Sequence, residues 1–129
     1  MTSRWLLLIP VLTLLSACHV PELDAACIWY GYPPLEFVDA AKIKAPLMGH
    51  WATDDAAFAI SGVDTLEGKL RAAGVGHEFF RYDCKHAFAN ETADSKNLPF
   101  LKYDPQAAEL AWKRTMDFTT LRMVCLRCS

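Results

Sequence analysis

Apolar and polar positions follow two rhythms along this chain. Ala25–Tyr30, AACIWY, is an unbroken apolar run between Asp24 and Gly31. Its length and boundaries predict a strand buried on both faces. Ala45–Trp51, APLMGHW, and His77–Tyr82, HEFFRY, predict two more strands. Between those two, Val63, Leu66, Leu70 and Ala73 recur at helical spacing and form one apolar stripe. Ser61 is placed to cap that helix, with Asp64 three residues on, and Gly74 suits the position just past its end. A last helix is predicted from Asp104 as cap and Pro105 in the first turn. It would bury Ala108, Ala111, Trp112, Thr115 and Phe118 along one side. Val11–Ala17 suits a helix as well, and the two prolines of Gly31–Glu36, GYPPLE, mark a loop.

The resulting order is helix, strand, loop, strand, helix, strand, long loop, helix. Strands alternating with helices predict an α/β domain with a parallel sheet and right-handed crossovers. Such sheets carry their chemistry outside the carboxyl ends of the strands. The segment from Asp83 to Tyr103 is a loop of about twenty residues, a length usually tied to function. His86 stands near its start.

Composition narrows the picture. At 129 residues the chain makes one domain, and 53% hydrophobic residues are enough for a packed core. A formal net charge of −2 with no basic face argues against a nucleic-acid partner. Five cysteines are too few and too scattered for a disulfide framework. Cys27 and Cys84, in or beside apolar runs, read as small buried thiols. Cys125 and Cys128 form a single C-x-x-C in the tail, with no second pair to complete a metal site. No metal or cofactor is expected.

The N-terminus reads two ways. Residues 3–18, SRWLLLIPVLTLLSAC, resemble an export signal, with Arg4 before an apolar run and Cys18 as the lipid-modified residue. The run is too short to span a bilayer. The other reading is a buried helix of a globular domain.

Asp54 and Asp55 follow the second predicted strand, and His86 follows the third. Either aspartate is placed to reach His86, fix its tautomer and stabilise its protonated form. The structural alternative is a polar turn and an unrelated loop histidine. The order, acid then histidine across a strand–helix–strand, is that of α/β hydrolases.

The segments DAACIWYGYPPLEF, KIKAPLMGHWATDDAAF, YDCKHAFANE and YDPQAAELAWKRTMDF resemble the dienelactone hydrolase family, in that order and spacing. The resemblance covers the C-terminal half of that fold and implies hydrolysis of a small ester or lactone. It implies Asp55 as the acid, with Asp54 the runner-up, His86 as the histidine, and Tyr30 as a substrate-binding residue. Asn90 stands where some members carry a substrate-binding arginine, which removes the group expected to hold a lactone carboxylate.

The family's cysteine nucleophile sits in a glycine-rich elbow between a strand and a helix. Here that place falls on Trp5–Pro10, WLLLIP, with Leu7 at the nucleophile position and no cysteine, serine or glycine among the six. Cys84, two residues before His86, is a conceivable stand-in.

The organisation expected is therefore a signal-like or unrelated start over 1–10, the C-terminal part of a hydrolase domain over 11–120, and a tail over 121–129. The fold expected is a partial α/β-hydrolase fold, a three-stranded parallel half-sheet with flanking helices. The chain is expected to be inactive alone and cytoplasmic, the alternative being an envelope lipoprotein anchored through Cys18 or an interaction module. With its usual neighbour missing, Ala25–Tyr30 is expected to present an open apolar edge and to promote self-association.

Overall fold

The computed structural model describes residues 5–6 and 10–127, with side chains over 11–121. Three long parallel strands form the sheet: β2 (Ala25–Trp29), β3 (Leu47–Asp54) and β4 (His77–Lys85). A two-residue strand, β1 (Trp5–Leu6), adds a fourth along the outer side of β2, and the spatial order is β1-β2-β3-β4. Helix α1 (Pro10–His19) links β1 to β2, α2 (Ile60–Ala72) links β3 to β4, and α3 (Pro105–Arg127) follows the last loop.

Strand alternation divides the side chains between two layers. Ala26, Ile28, Leu47 and Trp51 pack with Leu14, Ala17 and Cys18 of α1 and with Val63, Leu66 and Leu70 of α2. Ala25, Cys27, Trp29, Met48, Ala52 and Tyr82 pack with Ala111 and Phe118 of α3. Helices on both faces explain why AACIW is apolar throughout: all five residues are buried.

The expected open edge is covered at its first two positions. Trp5 and Leu6 pair with Ala25 and Ala26, α1 packs against β2, and Ile28 is completely buried. A segment that leads straight into a helix still had room for two ladder positions.

Two local expectations also change. Helix α2 starts at Ile60 with Ala59 before it and no side-chain cap. Ser61 lies inside the first turn and Asp64 does not reach back to it. Arg81 on β4 draws the Asp64 carboxylate instead, donating to it over 2.7 Å. Trp112 of α3 is 46% exposed rather than buried, because it sits on the flank of the stripe and covers one ring face against Trp29, 4.9 Å between centroids. Helix α3 runs on past residue 121 to Arg127, with Cys125 within it. Cys128 and Leu7 lie outside the described residues.

Other signals hold. Asp104 accepts the Ala107 N–H at 3.0 Å as a cap before Pro105. Gly74 takes φ 71° just past α2, where a side chain would be strained.

Candidate active site

Tyr30, Asp55 and His86 are each the first residue beyond a strand, following β2, β3 and β4. Those strands are neighbours and all parallel, so the three residues share one edge of the sheet.

The Nδ1 nitrogen of His86 lies 2.7 Å from Oδ2 of Asp55. The Asp55 side chain is 1% exposed and that of His86 is 20% exposed. The other Asp55 oxygen, Oδ1, accepts the N–H groups of Ala57 and Phe58 at 2.8 and 2.9 Å. A carboxylate only accepts, so Nδ1 carries the proton and Nε2 keeps its lone pair. Among the described residues Nε2 has no hydrogen-bond partner, and it is the nitrogen free for proton transfer. Ala87, with φ 59°, bends the chain sharply after the histidine.

Asp54, the runner-up, is exposed and lines a surface groove with Asp83, Cys84, Lys85, Lys102 and Asp104. Adjacent strand residues point to opposite sides, which separates the two aspartates. Cys84 is turned away as well. Its thiol donates to Asp104 Oδ2 at 3.3 Å, and burial followed by the Asp104 carboxylate pushes its pKa up to about 12. It is a poor thiolate. Asn90 is exposed, and its Oδ1 accepts from the Thr92 N–H and hydroxyl at 3.0 and 2.8 Å, so it closes a local turn. Tyr30 contacts the histidine: the rings meet edge to face with centroids 5.5 Å apart. Burial raises its pKa to about 12. Phe58, which the sequence did not single out, stacks on His86 with centroids 5.7 Å apart.

The sequence also left unmarked a buried polar chain beneath α3. His50, fully buried on β3, lies 2.9 Å from the Tyr82 hydroxyl through Nδ1 and 2.8 Å from the Thr115 hydroxyl through Nε2. Thr115 donates onward to the Ala111 carbonyl at 2.9 Å, so it accepts from the His50 Nε2–H. Arg114 donates to Tyr82 at 3.1 Å, and Tyr82 donates to Nδ1. His50 is thus satisfied as a neutral ring, and burial with the nearby Arg114 charge lowers its pKa to about 4. The only sequence signal was a lone histidine in an apolar strand, since its partners lie on other elements. Among the described residues no group of three or more His, Cys, Asp or Glu side chains is gathered to hold a metal.

A parallel sheet flanked on both faces by helices, with a buried aspartate orienting a histidine at its carboxyl edge, defines the α/β hydrolase class. The sequence profile of the dienelactone hydrolase family matches residues 11–121, and the chain belongs to that family. A "Putative carboxymethylenebutenolidase" of Escherichia coli (strain K12) is 32% identical over 117 residues, covering 83% of this chain and 41% of the relative. One of the same name from Methylorubrum extorquens is 31% identical over 83% of this chain and 38% of its own length. Among solved structures, a "Putative Dienelactone Hydrolase" from Klebsiella pneumoniae superposes with TM-score 0.64 and 28% identity, over 81% of this chain and 45% of that one. A dienelactone hydrolase-like promiscuous phosphotriesterase from metagenomic libraries shares the fold at TM-score 0.68 with 16% identity. The chain spans about two-fifths of the length of the curated relatives it matches.

Proposed function

We propose that this chain carries the acid and the histidine of an ester- or lactone-hydrolysing site, with Asp55 orienting His86 and His86 acting as general base. One observation carries the reading: a carboxylate that also accepts the Ala57 and Phe58 N–H groups holds Nδ1 at 2.7 Å and, among the described residues, leaves Nε2 unengaged. In that state the ring takes a proton from a nucleophile, and the Asp55 charge stabilises the imidazolium that forms. The family's name gives the substrate class, a small ester or lactone. With Asn90 committed to its own turn, no carboxylate on that substrate is expected to be recognised there.

Trp5–Pro10 holds no serine or cysteine, and Cys84 is bound to Asp104. The pair by itself is left with water as nucleophile, a general-base contribution of about 10²–10⁴-fold when well placed. The chain alone is therefore proposed to turn over little. The test compares hydrolysis of small activated esters by the full chain and by His86→Ala. Rates near background in both fit the reading, whereas a high rate lost in His86→Ala reveals a nucleophile elsewhere.

We further propose a cytoplasmic location. Cys18 is 5% exposed within the core, with its pKa raised by burial, which suits a core thiol better than a lipid-bearing one. Among the described residues no helix is long and apolar enough to cross a membrane. A second reading, an interaction module, draws support from Trp112 and Met116, exposed large apolar residues one turn apart on one face of α3. Sedimentation of wild type and Trp112→Lys at micromolar concentration tests it, since association that survives the lysine counts against that face.

A further inference from the structure

We propose that Tyr30, Gly31 and Phe58 form a brace that positions His86, with Tyr30 and Phe58 as positioning residues rather than substrate contacts. The inference rests on the acid–histidine reading and adds how the imidazole is held to one orientation.

A histidine ring turns readily about its second side-chain torsion. One hydrogen bond to Asp55 does not by itself stop a flip that would exchange the two ring edges. The surroundings do. Phe58 stacks against the ring with an interplanar angle of 28°, and Tyr30 meets it edge to face at 61°. The ring is in contact with two aromatics that come from different loops.

Each aromatic is itself fixed. The Tyr30 hydroxyl accepts the Ala89 N–H at 3.1 Å, tying the end of β2 to the loop that carries His86. Tyr30 holds φ 68°, a conformation unfavourable for a residue with a side chain that persists only where surrounding contacts enforce it. The Phe58 N–H donates to Asp55, so the residue that stacks on the histidine also anchors the acid. Gly31 makes room for that ring: a Cβ there would stand 2.9 Å from Phe58 Cζ, closer than carbon atoms pack. On the far side Tyr32 meets Phe58 at 5.4 Å and donates to the Ala59 carbonyl at 2.9 Å. Residues 30–32 therefore grip both the acid loop and the histidine loop, and a change at any of them is felt at the imidazole.

The test is nitrogen and proton NMR of the His86 ring in the full chain, in wild type, Tyr30→Phe, Phe58→Leu and Gly31→Ala, with circular dichroism to confirm folding. Wild type is expected to show a single Nδ1–H tautomer with a slowly exchanging proton. Loss of one hydrogen bond is worth about a fivefold change in an equilibrium. Tyr30→Phe is therefore expected to speed Nδ1 proton exchange about fivefold, and the other two to mix the tautomers. Should Gly31→Ala fail to fold, Tyr30→Phe decides, since it removes only the hydroxyl. Wild-type exchange and shifts in both Tyr30→Phe and Phe58→Leu overturn the brace alone. A wild-type ring protonated on Nε2 and not on Nδ1 overturns the acid–histidine reading, and the brace with it.

Discussion

His86 donates from Nδ1 to Oδ2 of Asp55 over 2.7 Å, although the two residues stand 31 positions apart. Between them lie the whole of α2 and all of β4. The crossover brings the chain back one strand over and in the same direction, so both strands end on one edge.

Asp55→Asn is expected to keep the fold and reverse the tautomer. The asparagine carbonyl replaces Oδ1 in accepting the Ala57 and Phe58 N–H groups, and its amide then faces Nδ1 as a donor. The ring must protonate on Nε2, which removes the free lone pair. The loss of a charge-assisted bond should lower stability by about 1–3 kcal/mol. Histidine NMR and urea unfolding measure the two effects separately.

Replacing Cys84 by alanine is expected to leave ester hydrolysis unchanged. A thiol with a pKa of about 12 has almost no thiolate at neutral pH, and it points to Asp104. A fall in rate comparable to that in His86→Ala would make Cys84 the nucleophile.

Stability should fall as the pH drops from about 6.5 toward 4 because of His50. Unfolded, it binds a proton near its ordinary 6.5, and folded it resists until about 4. Between those values the unfolded chain holds more protons, so the stabilisation is complete above the unfolded value and is lost going down. The integrated effect is about 3 kcal/mol. Glu67 and Asp104, whose carboxyls are lowered by Arg81 and by the Ala107 N–H respectively, act only below their ordinary 4.5 and 3.8. Urea midpoints across pH 4–7 check this, and the slope should be shallower by that amount in His50→Phe.

Thr115→Val should cost about 1–3 kcal/mol despite its near-identical shape. Valine leaves the His50 Nε2–H without an acceptor in a buried site. Denaturant midpoints at pH 7 give the value. A neutral result would mean that the ring finds another partner.

Much of this architecture was legible in the chain. AACIW and LMGHW read as strands because residues buried on both faces are mostly apolar, whereas HEFFRY, mostly half-buried or exposed, read as one by its aromatics. Asp104–Pro105 and Gly74 read as helix boundaries because local backbone chemistry decides them. Local pattern misled where a distant partner competed. Asp64 was placed to cap its own helix, but Arg81 from the next strand took its charge. Trp112 lay on the apolar stripe, but only one of its faces had a neighbour. The pairing of Trp5–Leu6 with Ala25–Ala26 was hidden for the same reason, since a two-residue strand has no periodicity to detect.

The candidate site divides along the same line. By itself the sequence determined which residues stand at the strand ends, because strand length and breaking residues are local properties. It left Asp54 and Asp55 as rivals, Cys84 as a stand-in and Phe58 unnoticed. Only the tertiary structure decided that Asp55 turns inward beside His86 while Asp54 faces solvent. It also decided that Tyr30 and Phe58 wall the ring, and that His50, Tyr82 and Thr115 meet beneath α3. These are contacts between separate elements, and their geometry exists only once the sheet and helices have packed.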